Sequence, residues 1–223
     1  MGEMLTLTAE GGHRFAAYRA NPAGTPRGAL VIVQEIFGVN SHIKKVADGF
    51  AADGYVALAP SLFDRVERDF AIGYTQADIE RGRAVRGKVS LDDMITDVKA
   101  SVTELAKTGQ KIGVVGYCMG GTVAWLSATR IPGLSAAVGY YGGGVADAAE
   151  EQPKCPVMLH FGETDQSIPK EHYEKVMKLL PKIPVHVYQA GHGFSCDERG
   201  SYHEASARLA RERTIEFLRK NIG

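Results

Sequence analysis

The stretch Lys111-Ile112-Gly113-Val114-Val115, followed by Gly116-Tyr117-Cys118-Met119-Gly120-Gly121, decides the fold. Its first five residues read as a short buried strand, and Thr122, Val123, Trp125 and Leu126 beyond them read as a helix. A reactive side chain at a strand-to-helix turn between glycines is the pattern of a nucleophile elbow, here with Cys118 where serine is commoner. The glycines suit a strained turn that neighbouring backbone approaches closely. The helix N-terminus that follows favours an anion and lowers a thiol pKa. The competing reading is a buried apolar cysteine beside a packing turn. A dinucleotide fingerprint would need glycine at Cys118 and a phosphate-binding loop would need lysine at Thr122, so nucleotide binding is not expected.

Outward from this stretch, β-branched apolar runs recur at Ala29 to Val33, Tyr55 to Ala59, Ala136 to Tyr140, Val157 to Phe161 and Val185 to Tyr188. Between them lie helical patterns. Leu91, Met94, Ile95, Val98, Val102 and Leu105 share one helical face, as do Ala207, Ala210, Thr214, Phe217, Leu218 and Ile222. Strands separated by crossover helices predict an α/β fold: a mostly parallel doubly wound sheet with helices on both faces. Met4 to Thr8 and Arg14 to Arg19, joined across Gly11-Gly12, predict an N-terminal antiparallel hairpin at a sheet edge. No repeat, low-complexity tract or linker divides the chain, so residues 1–223 are expected to form one domain.

In such sheets chemistry collects at the carboxyl ends of the strands. Asp165 follows the run Val157 to Phe161, and His192 follows Val185 to Tyr188 within Gly191-His192-Gly193-Phe194. Each has an ordinary explanation: a cap or turn residue for Asp165 and a loop histidine for His192. Their order after Cys118, nucleophile then acid then histidine, favours a triad with His192 as base and Asp165 as its orienting carboxylate. The other six of the seven histidines are accounted for by packing or exposure. Glu35 ends an apolar strand, where a carboxylate is costly unless paired. We expect it to contact the Cys118 thiol, with the Ile36 and Met119 N–H groups forming an oxyanion hole.

Gln34-Glu35-Ile36-Phe37-Gly38-Val39-Asn40, the cysteine elbow, Tyr140-Tyr141-Gly142, Asp165 with Pro169, and Ala190-Gly191-His192 together resemble the dienelactone hydrolase (carboxymethylenebutenolidase) family of α/β-hydrolases. The resemblance implies Cys118 as nucleophile, Asp165 as acid, His192 as base, and Glu35 as an activating carboxylate that responds to substrate. It further implies hydrolysis of an unsaturated lactone carrying a carboxylate, without a cofactor. Two positions depart from the pattern. Cys196 stands where the family has a carboxylate-clamping arginine four residues after the histidine, with Arg199 further along. Ser167 replaces an aromatic residue. Arg81 and Arg83 are candidates for a second clamp, and Tyr140, Phe37 and Phe194 for the substrate pocket. A broader carboxylesterase is the nearest alternative.

With 26 basic and 26 acidic residues, the chain has no bulk charge to attract nucleic acid or an anionic membrane. Three cysteines without a CxxC argue against a disulfide framework and for a reducing, cytoplasmic setting. No run approaches a membrane span, and the match of Met1-Gly2-Glu3-Met4-Leu5-Thr6 to an N-myristoylation pattern is read as chance. A metal site from Cys196 and nearby histidines is the alternative considered, but no HExxH or paired CxxC is present, so no metal is expected. The partner expected is a small lactone or ester, with the protein a monomer. The rivals from other classes are a non-catalytic ligand-binding relative and a thiol redox sensor built on Cys118 and Cys196.

Overall fold

The computed structural model describes residues 2–223; Met1, where the myristoylation-like match begins, lies outside them. In chain order the elements are β1 (Glu3–Thr8), β2 (Arg14–Ala20), β3 (Gly28–Val33), α1 (Ser41–Ala52), β4 (Tyr55–Pro60), α2 (Gln76–Arg86), α3 (Leu91–Ala106), β5 (Ile112–Tyr117), α4 (Met119–Arg130), β6 (Ala136–Tyr140), β7 (Val157–Gly162), α5 (Lys170–Leu179), β8 (Val185–Tyr188) and α6 (Glu204–Asn221). The strands form one eight-stranded sheet in the order β1-β2-β4-β3-β5-β6-β7-β8. The pairs from β4 through to β8 are parallel, whereas β1 and β2 form the expected antiparallel hairpin on the β4 edge. Strands β3 to β7 are buried along their whole length, which is why they read as continuous apolar runs rather than alternating ones.

Helices α3 and α4 pack together on one face of the sheet. Helix α6 lies with α1 across the other, where the Arg211 guanidinium sits 3.9 Å from the Phe50 ring centroid and pairs with Asp53. The sheet is therefore doubly wound. From β3 the chain moves outward to β4 and then returns across to β5, so the strand order reverses between β3 and β5. That reversal opens a crevice above their carboxyl ends.

Strand β5 is longer than its apolar run suggests. It continues through Gly116 and Tyr117, which pair with Gly139 and Tyr140 of β6, so Cys118 leaves the sheet directly. No described helix is long and apolar enough to cross a membrane.

A Cβ on Gly116 would lie 1.8 Å from the Gly120 carbonyl oxygen, in backbone that has nowhere to move. Gly116→Ala is expected to cost more than about 4 kcal/mol in urea unfolding. Gly24→Ala, whose Cβ would meet nothing within 4 Å, should stay within about 0.5 kcal/mol of the parent. Equal midpoints for the two variants would contradict the packing argument.

Candidate active site

Cys118 occupies the turn between β5 and α4 at φ 56° and ψ −120°, a region that side-chain-bearing residues rarely enter. Its N–H donates to the Tyr140 carbonyl at 3.0 Å, and its own carbonyl accepts from Gly121 N–H at 2.9 Å, so both sides of the strained residue are pinned. The half-buried thiol projects at the N-terminus of α4.

His192 and Asp165 reach it from the ends of β8 and β7. His192 Nε2 lies 3.1 Å from Cys118 Sγ, and His192 Nδ1 lies 2.7 Å from Asp165 Oδ2. The second Asp165 oxygen accepts from the N–H groups of Ser167 and Ile168 at 2.7 and 3.1 Å, which fixes the carboxylate. The His192 carbonyl accepts from the Ser201 hydroxyl at 2.7 Å, which steadies the loop. Burial alone would lower the imidazole pKa. The Cys118 sulfur and the Asp165 carboxylate outweigh it and push His192 up to about 10. The three side chains thus converge in the expected order.

Glu35 is fully buried above β3, but its partners differ from the expectation. Its Oε1 accepts from Arg199 Nη1 and its Oε2 from the Tyr74 hydroxyl, each at 3.2 Å. No hydrogen bond joins it to Cys118 among the described residues, because the thiol is engaged by His192 and the carboxylate by a guanidinium. The proposed thiol contact is therefore absent in this conformation. Gln34 supplies a feature the sequence reading did not assign. Its side-chain amide donates to the Glu35 carbonyl at 3.2 Å and its side-chain oxygen accepts from Leu62 N–H at 3.1 Å. Because the peptide is planar and trans, pinning the Glu35 carbonyl also aims the Ile36 N–H in the opposite direction.

A cavity of about 450 Å³ opens over Cys118 and His192, lined also by Ile36, Phe37, Met119, Ser167 and Arg199. Of the expected pocket residues, Phe37 is present and two are not. Tyr140 points into the opposite layer, its hydroxyl bonded to the Ala210 carbonyl and Thr214, and Phe194 is wholly buried behind the site. Tyr141 takes the pocket position instead, held by a 2.7 Å bond to Ser195. Arg83 lines the cavity together with Arg86, which the sequence reading did not single out. Arg81 is turned away, paired with Glu67 and 55% exposed. Arg199 does reach the site, because three successive tight turns from Gly193 to Tyr202 fold its loop back on itself.

The chain matches the dienelactone hydrolase family over residues 15–222. It belongs to that family. It is similar to the carboxymethylenebutenolidase of Pseudomonas putida, with 31% identity covering 97% of this chain and 95% of the relative. Among solved structures it resembles one from Klebsiella pneumoniae provisionally named a dienelactone hydrolase, at a TM-score of 0.85 and 28% identity over 97% of both chains. The dienelactone hydrolase of Anabaena variabilis shares the fold at a TM-score of 0.75 and 16% identity, covering 100% of this chain and 99% of that one. The architecture is thus the α/β-hydrolase arrangement of this family.

Removing one partner of a buried ion pair leaves an uncompensated charge, at a cost of about 3–5 kcal/mol. Arg199→Ala should therefore lower stability by about that amount, and adding Glu35→Gln to it should recover most of the loss. Chemical unfolding of the single and double variants measures this; additive losses would refute the pairing.

Proposed function

We propose that the protein hydrolyses a small lactone or ester through a thioacyl-enzyme, with Cys118 as nucleophile, His192 as general base and Asp165 as its orienting carboxylate. The observation that carries this reading is the 3.1 Å approach of His192 Nε2 to Cys118 Sγ, with Asp165 bonded to the far side of the ring. The thiol proton passes to His192, and the sulfur attacks the substrate carbonyl. A raised His192 pKa fits this step, since the charged ring is favoured by an anionic sulfur on one side and a carboxylate on the other.

The developing oxyanion is assigned to the N–H groups of Ile36 and Met119, both at the cavity wall. Collapse of the tetrahedral intermediate breaks the carbonyl–oxygen bond, and the imidazolium returns a proton to the leaving oxygen. In a lactone that oxygen stays tethered to the acyl chain. An enolate leaves more readily than an alkoxide because it is the weaker base, so a thiolate is adequate. Water deprotonated by His192 then releases the acid and the free thiol. Phe37, Tyr141 and Ser167 shape the pocket, and Arg83, Arg86 and Arg199 favour a substrate bearing a carboxylate. Glu35 is assigned the activating role: once Arg199 is drawn to such a substrate, the freed carboxylate serves beside His192 as an alternative acceptor of the thiol proton, becoming a neutral acid as the thiolate forms. No cofactor is required by these steps.

A non-catalytic binding protein of the same fold is the main rival, and chemistry separates the two. Cys118→Ala should abolish hydrolysis of carboxylate-bearing lactones and short esters while leaving the melting temperature close to that of the parent. Undiminished turnover in the folded variant sinks the assignment. Glu35→Gln should slow the acylation burst, and an unchanged burst rate across pH would remove Glu35 from the mechanism.

The pH profile supplies a further check. His192 must hold a proton to serve as acid, so kcat/KM should decline as pH rises past about 10. Asp165→Asn removes one of the charges that raise that pKa, so the alkaline limb should move toward neutrality. A limb that stays in place would show that another group sets it.

A further inference from the structure

Behind the cavity, Glu35 meets two buried residues that the proposed mechanism does not use. A carboxylate oxygen of Glu35, a ring nitrogen of His42 and Cys196 Sγ all lie within 4.8 Å of one another. The three come from separate segments: the end of β3, the first turn of α1 and the loop after β8. His42 Nδ1 faces Asp197 Oδ1 at 3.3 Å, while its Nε2 is buried and has no hydrogen-bond partner among the described residues. The His42 side chain is only 5% exposed. An unpartnered buried nitrogen of this kind is costly. With the ring proton on Nδ1 toward Asp197, Nε2 presents a lone pair, the arrangement in which carboxylate-supported histidines bind metals.

We propose that Glu35, His42 and Cys196 form a binding site for a divalent cation of the zinc class. The donor set of one sulfur, one nitrogen and one oxygen suits a borderline-soft ion that accepts tetrahedral geometry, and three protein ligands leave a fourth position for water. Calcium and magnesium, which want oxygen ligands, fit it poorly. Charge also balances: the ion and Arg199 are offset by Glu35, the Cys196 thiolate and Asp197. On binding, the Cys196 S–H bond breaks, its proton passes to solvent and a sulfur–metal bond forms, with no change of oxidation state. A second cavity of about 450 Å³, lined by His42, Lys45, Tyr117, Asp197 and Arg211, reaches the imidazole and is the assigned route of entry. A metal holding Glu35 keeps that carboxylate from the thiol and lowers turnover; this last consequence rests on the role proposed for Glu35.

The site is read by cobalt absorption on the full chain carrying Cys118→Ala, which removes the more accessible thiol without touching the three ligands. One equivalent of Co2+ should give a thiolate-to-metal charge-transfer band that Zn2+ abolishes. Adding Cys196→Ala or, independently, His42→Gln should remove the band while circular dichroism shows a retained fold. Asp197→Asn should weaken the affinity about tenfold or more. No band at stoichiometric metal, or a band that survives Cys196→Ala, overturns the site. In the parent protein, saturating Zn2+ should depress hydrolysis. If the band forms and hydrolysis is unchanged, the site stands and the role of Glu35 falls. Absence of hydrolysis altogether would refute the proposed function without touching the spectroscopic result.

Discussion

The parallel pairing of β3 with β5, which sets Val33 opposite Gly116, places everything else at the candidate site. Two strands that pair in parallel end on the same side of the sheet, and here the connections leave them in opposite directions. Glu35-Ile36 and Cys118-Met119 therefore emerge side by side with nothing crossing between them. The approach is closer than side chains allow: a Cβ on Gly120 would lie 2.4 Å from the Val33 carbonyl oxygen and 2.6 Å from that of Gln34. The elbow thus does more than expose a thiol. It also drives the start of α4 against the end of β3, bringing together the two peptides that carry the candidate oxyanion donors.

The two carboxylates at this rim are held in contrasting ways. Asp165 accepts from two backbone N–H groups through one oxygen and from His192 through the other, all within 3.1 Å. Backbone donors in a folded turn do not move away, so this carboxylate is fixed and its effect on the imidazole is permanent. Glu35 is equally buried, but its partners are the tips of two side chains at 3.2 Å. One of them, Arg199, also lines the cavity. A charge held by movable partners is suited to responding to what enters the pocket, whereas one held by backbone is suited to orienting.

The sequence made the sheet and the elbow legible because parallel strands buried on both faces are short, apolar and separated by crossover helices. Reactive residues placed directly after such strands, Cys118, Asp165 and His192, inherit their positions from that frame. What lay beyond reading was side-chain direction where no polar alternation marks it. β6 is apolar throughout, so nothing in its composition distinguishes Tyr140, which faces α6, from Tyr141, which faces the cavity. Arg199 was hidden for a different reason: its loop doubles back through tight turns, so chain separation overstated its distance from the site. In α3 the apolar periodicity was visible, yet the buried face also carries Asp97, held by two bonds from Arg65 in a distant turn. A partner 32 residues away leaves no local trace.

Burying Glu35 at the end of an apolar strand demands a compensating cation, and Arg199 supplies it at 15% side-chain exposure over the Phe37 ring. One guanidinium cannot serve two carboxylates at full strength. A charged hydrogen bond contributes about 1.5–3 kcal/mol, so on the proposed reading a substrate carboxylate that competes for Arg199 changes the energy of Glu35 by a comparable amount. Each 1.4 kcal/mol is about a factor of ten in an equilibrium. That makes thiol activation conditional on the charge of the ligand by roughly one to two orders of magnitude. A neutral ester of the same size would occupy the pocket and leave the pair intact. Selectivity between them would then appear in the acylation rate as well as in binding, because on that reading the group proposed to recognise the substrate is also the one that pairs with the carboxylate.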